Sequence, residues 1–157
     1  MKREEVESTV LTMNPQPDLR GEWFSFIPYE DHKFSPYVHF SCRIDHKKGV
    51  MQVCGWTQNI KSNPNGAELF SLFSHLKSEQ DGNFKQGKLI EGFTTPIPRY
   101  KADTEFLMAM SKGERILACE YHKDYGSEMP EGLEMVQIQA FGRDEYSGNV
   151  MIKYFWG

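Results

Sequence analysis

A single stretch with the period of an α-helix, NPNGAELFSLFSHLKSEQDGN, most constrains what this chain can fold into. Its apolar side chains recur at the i, i+3, i+4 and i+7 positions of one helix face, namely Leu69, Leu72, Phe73 and Leu76. Asn65 and Glu68 have the spacing of a capping box, and the pair Asp81 and Gly82 is typical of a helix end. The sequence therefore predicts one long helix, over residues 66–79, whose apolar side packs against a sheet.

Strand-like segments lie on both sides of this helix in the sequence. In PYVHFSCRID, apolar and polar side chains alternate, which predicts a strand with two different faces. The turn DHKKG, whose Gly49 can adopt the left-handed conformation, joins that strand to GVMQVCGW. EWFSFIP comes before them, and KLIEGF, LEMVQIQAF and NVMIKYFW follow the helix. We also expect TEFLMAM and RILACEYH to form a second hairpin that is apolar on both faces.

Strands that are joined by short turns pair in antiparallel sheets. The sequence therefore predicts an α+β fold with a single curved antiparallel sheet of about seven or eight strands, either as a half-barrel or as a closed barrel. The main helix is expected after the third strand. Residues 1–20, first charged and then rich in proline, are predicted to form an N-terminal arm, and residues 21–157 a single α+β domain.

The charge and the N-terminal sequence limit the partners and the compartment. A formal net charge of −4 and a pI near 5.7 disfavour nucleic-acid binding, because Lys and Arg provide most of the affinity for phosphate backbones. No window approaches the roughly 18 consecutive apolar residues of a membrane span, so no membrane partner is expected. The start MKREEVESTV lacks the apolar core of a signal peptide, which predicts a cytoplasmic protein with reduced cysteines.

Two cysteines and two histidines lie in the first predicted hairpin, HFSCRIDHKKGVMQVCGW. Cys42 and Cys54 are too far apart for a typical zinc ligand pair, and His39 points away from Cys42, so the hairpin is expected to be core and not a metal site. The favoured register places Cys42, Cys54 and Trp56 on one face, because it buries them together. The alternative register puts Cys42 on the face of Val53 and leaves Trp56 beside His39.

No sequence motif in the chain indicates a particular enzymatic reaction. It lacks a G-x-S-x-G elbow, a glycine-rich phosphate loop and an H-E-x-x-H metal motif. We therefore predict no catalytic residue, no metal and no cofactor, and the sequence favours a protein that is not an enzyme.

The most biased segment is CEYHKDYGSEMPEGLE, in which aromatic and Met side chains are interleaved with carboxylates. Such a surface can adapt to a protein partner, and its charge attracts a basic one. The leading hypothesis is a small cytosolic, non-catalytic protein-binding module, such as an inhibitor, an immunity protein or an adaptor. The expected partner-binding residues are Glu120, Tyr121, Asp124, Tyr125, Glu128, Met129 and Glu131.

Two alternatives remain open at the level of sequence. In the first, the protein is a curved-sheet enzyme or a small-ligand binder, and the polar side of the first hairpin lines its pocket. The residues of that pocket would be Tyr37, His39, Ser41 and Arg43. In the second, the protein is a homodimer that is joined through an exposed strand edge.

Overall fold

The structure is a computed structural model of the chain and describes residues 2–7, 10–15, 22–28 and 36–157. The helices are α1 (Arg3–Glu7), α2 (Ala67–Phe84) and α3 (Phe106–Ser111). The strands are β1 (Val10–Pro15), β2 (Trp23–Pro28), β3 (Tyr37–Asp45), β4 (Gly49–Thr57), β5 (Ile60–Lys61), β6 (Lys88–Phe93), β7 (Arg115–His122), β8 (Leu133–Asp144) and β9 (Ser147–Trp156). Short 3₁₀ helices cover Asp103–Glu105 and Lys123–Tyr125.

The nine strands form one antiparallel sheet in the order β1-β2-β3-β4-β9-β8-β7-β6, with β5 paired to β9. The prediction of an α+β fold with an antiparallel sheet is confirmed. Within the described ranges the sheet is open, because β1 and β6 lie at its two edges and do not pair with each other. The predicted alternative of a closed barrel is therefore wrong.

All three helices pack on the same face of the sheet, here called the helix face. One row of this face crosses eight strands and consists of Met13, Phe26, Phe40, Gly55, Ile152, Ile138, Cys119 and Leu89. The main core lies between this face and the apolar stripe of α2, whose Leu69, Phe73 and Leu76 are buried. A smaller core joins Val6 of α1 to Cys42 and neighbouring side chains near the β1 edge.

Part of the segment predicted as an arm lies in the sheet. Strand β1 pairs with β2, so that Met13 is opposite Phe26, and Val6 and Val10 are buried. Residues 16–21, which carry most of the predicted proline-rich connection, lie outside the described residues. The division into an arm and a domain at residue 20 stays a prediction.

Helix α2 begins where the sequence predicted but ends later. The side chain of Asn65 accepts a hydrogen bond from the amide of Ala67 (3.1 Å). The Glu68 carboxylate accepts hydrogen bonds from Ser62 and from the amide of Asn63, and not from Asn65 as in a capping box. The helix continues through Gly82 because Phe84 is buried against the ring of Tyr121. Its predicted place after the third strand is not confirmed, since two additional strands, β1 and β5, precede it.

The segment TEFLMAM is a helix and not the first strand of a hairpin. Leu107, Ala109 and Met110 of α3 are buried, and the helix packs on β8 beside Gly142. A short apolar run fits a buried strand and a buried helix turn equally well, so periodicity alone cannot distinguish them. Four strands therefore follow α2 in the sheet, and not the five that the sequence predicted.

The register of the first hairpin is the alternative that the sequence disfavoured. Cys42 pairs with Val53 and His39 pairs with Trp56, so Cys42 and Cys54 lie on opposite faces. Irregularities at both ends of the pairing, between Tyr37 and His39 and between Arg43 and Ile44, change the alternation there. Trp56 is covered on its own face by the Phe141 ring at 5.3 Å and the Arg143 guanidinium at 5.2 Å.

Candidate ligand-binding site

The helix face contains a region that lies between two of the described helices. Helix α2 packs over β8 and β9, whereas α1 lies beside β1 and reaches Cys42 of β3 through Val6, so part of the β3 and β4 surface lies between α1 and α2 in the described structure. A cavity of about 260 Å³, here called the apolar pocket, lies there. Its lining is Val6, Val10, Phe26, Cys42, Val50, Val53 and Trp156.

A second cavity, here called the polar pocket, adjoins the apolar one. It has a volume of about 420 Å³ and is lined by Tyr37, Val53, Glu79, Gln80, Asn83, Tyr154 and Trp156. Val53 and Trp156 line both pockets. One molecule could therefore place an apolar part in the first pocket and a polar part in the second.

The ring of Tyr37 reaches the polar pocket because a glycine lies beneath it. A Cβ atom added to Gly55 would lie 3.2 Å from Cγ of Tyr37, which is closer than ordinary packing allows. Burial raises the pKa of Tyr37, and Tyr154 and Glu79 nearby raise it further. Burial also raises the pKa of Tyr154, so both phenols stay neutral at physiological pH.

Gln80 is the most unusual residue of the polar pocket. It is 5% exposed, and its Oε1 atom has no hydrogen-bond partner among the described residues. An unpaired buried amide oxygen costs about 1–3 kcal/mol. Because the predicted helix stopped at residue 79, Gln80 was missed, although it continues the buried stripe of Leu69, Phe73 and Leu76. A polar residue on an otherwise apolar helix stripe is the sequence signal that could have identified Gln80.

Cys42 gives the apolar pocket a thiol without nucleophilic character. It is 2% exposed, and burial, followed by the neighbouring Cys54, raises its pKa to about 11. Burial also raises the pKa of Cys54, whose sulfur accepts a hydrogen bond from Gln52 on the other face of the sheet (3.0 Å). The thiolate is the reactive form, so Cys42 behaves here as a small apolar side chain.

The four residues of the sequence-predicted pocket are not brought together. Tyr37 is buried on the helix face, whereas His39, Ser41 and Arg43 lie on the opposite face, with His39 and Arg43 exposed. The irregular pairing after Tyr37 separates it from the other three. Only Tyr37 therefore belongs to the cavities described above.

The residues of the predicted acidic surface divide into buried and exposed ones. Tyr121 is fully buried in the main core, and Met129 packs against the same core. Glu120 accepts a hydrogen bond from Gln137 (3.0 Å), and Lys88 lies 5.0 Å from the ring centre of Tyr125. The exposed members are Asp124, Glu128 and Glu131.

The fold and the cavities define a class: an α+β protein with an open antiparallel sheet and a pocket between its helices and the sheet. No family model matches the chain, and no curated protein or solved structure gives a significant match. In the described parts of the chain, no three His, Cys, Asp or Glu side chains are placed to share a metal ion. None of the described helices has the length and hydropathy needed to cross a membrane.

Proposed function

We propose that this protein binds a small, largely apolar molecule in the apolar pocket. The observation that carries the proposal is a cavity of about 260 Å³ whose lining, in the described part of the chain, consists of seven residues that are aliphatic, aromatic or, at Cys42, a neutral thiol. Protein interiors are packed about as densely as organic crystals, and they leave few voids larger than a water molecule. A ligand of matching shape would gain dispersion contacts with these side chains.

The size and chemistry of the pocket agree with this proposal. An apolar cavity of about 150 Å³ in another protein stays dry and binds benzene. The pocket proposed here is larger and lies beside a polar one, which suits an amphiphilic molecule. The proposed function is of the small-ligand-binding class that the sequence offered as an alternative. Of the four residues named there, Tyr37 lines the adjoining polar pocket and none lines the apolar pocket in the described structure.

The Val53→Phe variant tests the pocket directly, because Val53 lies between its two parts. The larger ring occupies the space of a ligand, so we expect the affinity for 1-heptanol, measured by isothermal titration calorimetry, to fall at least about tenfold. The Val38→Phe variant is the matched control, since Val38 is 43% exposed and outside the lining of both pockets. Equal affinities in both variants, with circular dichroism unchanged, would contradict the proposal.

A specific observation also favours the protein-binding function that the sequence suggested. Glu128 and Glu131 are exposed, and no Lys or Arg of the described residues forms an ion pair with either. The carboxylate of Asp124, also exposed, lies 3.3 Å from Nδ1 of His122. We propose as a second candidate that these three carboxylates bind a basic protein in the cytoplasm. Charge complementarity would accelerate its association.

Reversing two of these charges tests the second candidate. We expect the double variant Glu128→Lys, Glu131→Lys to lose a stoichiometric partner that the wild type retains from a lysate of its native source. The double variant Glu91→Lys, Glu145→Lys makes the same change of charge at exposed sites outside this loop and should retain the partner. Retention of the same protein by both variants would exclude the acidic surface as the binding site.

A further inference from the structure

We infer that the ligand of the apolar pocket carries a neutral hydroxyl group that pairs with the amide of Gln80 in the polar pocket. The inference rests on the proposed binding function and adds the chemical class of the ligand. It follows from the buried amide, from the charges around it and from the position of the two pockets.

The buried amide is the first observation. Gln80 is 5% exposed, lines the polar pocket and has an Oε1 atom without a partner in the described structure. A glutamine amide can donate through its nitrogen and accept through its oxygen, and a hydroxyl group can do both in return. A hydroxyl can therefore pair with either end of the amide.

The charges around Gln80 select against an ionised group. Among the described residues that line the polar pocket there is no Lys or Arg, so a carboxylate would find no cation in that part of the lining and would be repelled by Glu79. Glu79 is half exposed and lies 3.5 Å from His75, towards the solvent side of α2. For an ammonium group beside Gln80, the counter-charge among the described lining residues is Glu79, which is half exposed and already lies beside His75, so the cost of removing the ammonium group from water is only partly offset. A neutral group avoids both costs.

The two pockets fix the arrangement of the ligand. Val53 and Trp156 line both pockets, so a ligand that occupied both would contact these two side chains. Tyr37 and Tyr154, both neutral phenols, line the polar end together with Gln80. An apolar chain or ring with a terminal hydroxyl fits this order of surfaces.

A matched series of four probes tests the inference by titration calorimetry on the full chain: 1-heptanol, hexyl methyl ether, heptylamine and heptanoate. The alcohol and the ether have the same number of heavy atoms, but only the alcohol can donate a hydrogen bond. We expect the wild type to bind the alcohol about fivefold more tightly than the ether, which is the ratio that one typical hydrogen bond gives. The amine and the carboxylate should bind more weakly than the alcohol.

The Gln80→Met variant links this preference to the amide, because Met has a similar shape and helix propensity but no amide. In this variant we expect the alcohol and the ether to bind with nearly equal affinity. The Gln58→Met variant is the control, since Gln58 is exposed and outside both pockets, and it should keep the wild-type ratio.

The outcomes separate this inference from the proposed function. If the wild type binds none of the four probes, the proposed function fails and the inference fails with it. If it binds the alcohol and the ether equally, or binds an ionised probe most tightly, the pocket binds ligands but the inferred hydroxyl is wrong. A preference that persists in Gln80→Met would also overturn the inference.

Discussion

The Gly142→Ala variant is expected to lose about 3 kcal/mol of its free energy of unfolding. Helix α3 lies directly on Gly142. A Cβ atom added to Gly142 would overlap the carbonyl oxygen of Leu107. It would also lie 3.0 Å from Cβ of Met110 and 3.1 Å from the amide nitrogen of Ser111. Two of these three atoms belong to the backbone of α3, which cannot give way as a flexible side chain can. The helix must therefore shift from β8 as a unit.

Urea denaturation followed by circular dichroism measures this loss, and Gly82→Ala provides the matched control. Gly82 lies within α2, and a Cβ added there would meet no described atom within 4 Å. Because glycine inside a helix is about 0.5–1 kcal/mol less favourable than alanine, the control should be more stable than the wild type. If both variants shift the unfolding midpoint in the same direction, the close packing of α3 on β8 is refuted.

The Tyr121→Ala variant is expected to lose about 4 kcal/mol, and Tyr121→Phe about 1–2 kcal/mol. Tyr121 is fully buried, and its ring centre lies 5.5 Å from that of Phe84. Its hydroxyl donates to Oδ1 of Asp81 (2.7 Å) and also lies 3.1 Å from the carbonyl oxygen of Lys77. The alanine variant removes the ring and the hydroxyl, whereas the phenylalanine variant removes only the hydroxyl.

The free energies of unfolding of these variants, measured by urea denaturation, distinguish a packing role of Tyr121 from a surface role. The control is Tyr146→Ala at the turn between β8 and β9, where Tyr146 is 57% exposed and a loss within about 0.5 kcal/mol is expected. Equal losses for Tyr121→Ala and Tyr146→Ala would contradict the buried position. Because Tyr121 bonds to the turn of α2 that contains Gln80, its packing also positions one wall of the polar pocket.

The candidate site could be predicted from the sequence only in small part. Of the four residues assigned to a pocket, Tyr37 lines one of the two cavities described above and the other three do not, because irregular pairing places Tyr37 on the face opposite His39. Gln80 was missed because local signals at Asp81 and Gly82 indicate a helix end. The buried contact between Phe84 and Tyr121 extends the helix past them. Of the acidic loop, Tyr121 is core, while Glu128 and Glu131 are exposed.

The sequence by itself determined the features that depend on local periodicity and turn chemistry. The apolar stripe of α2, the alternation along β3 from His39 to Asp45 and the left-handed Gly49 (φ 87°) at the first hairpin turn are all present, whereas at Tyr37 and Val38 the predicted faces are exchanged. These signals arise within a few residues of one another, so single segments are sufficient to read them. Together they indicated the antiparallel α+β fold.

Only the tertiary structure decided the features that depend on partners distant in the chain. The apolar run of α3 is a helix because it packs on Gly142. Cys42 pairs with Val53 because this register places Trp56 on the other face, where it contacts Phe141 and Arg143. The apolar pocket likewise combines Val6 of α1, Val53 of β4 and Trp156 of β9, which are distant in the sequence. Such outcomes depend on side chains that are distant from one another in the sequence, and local patterns carry no information about them.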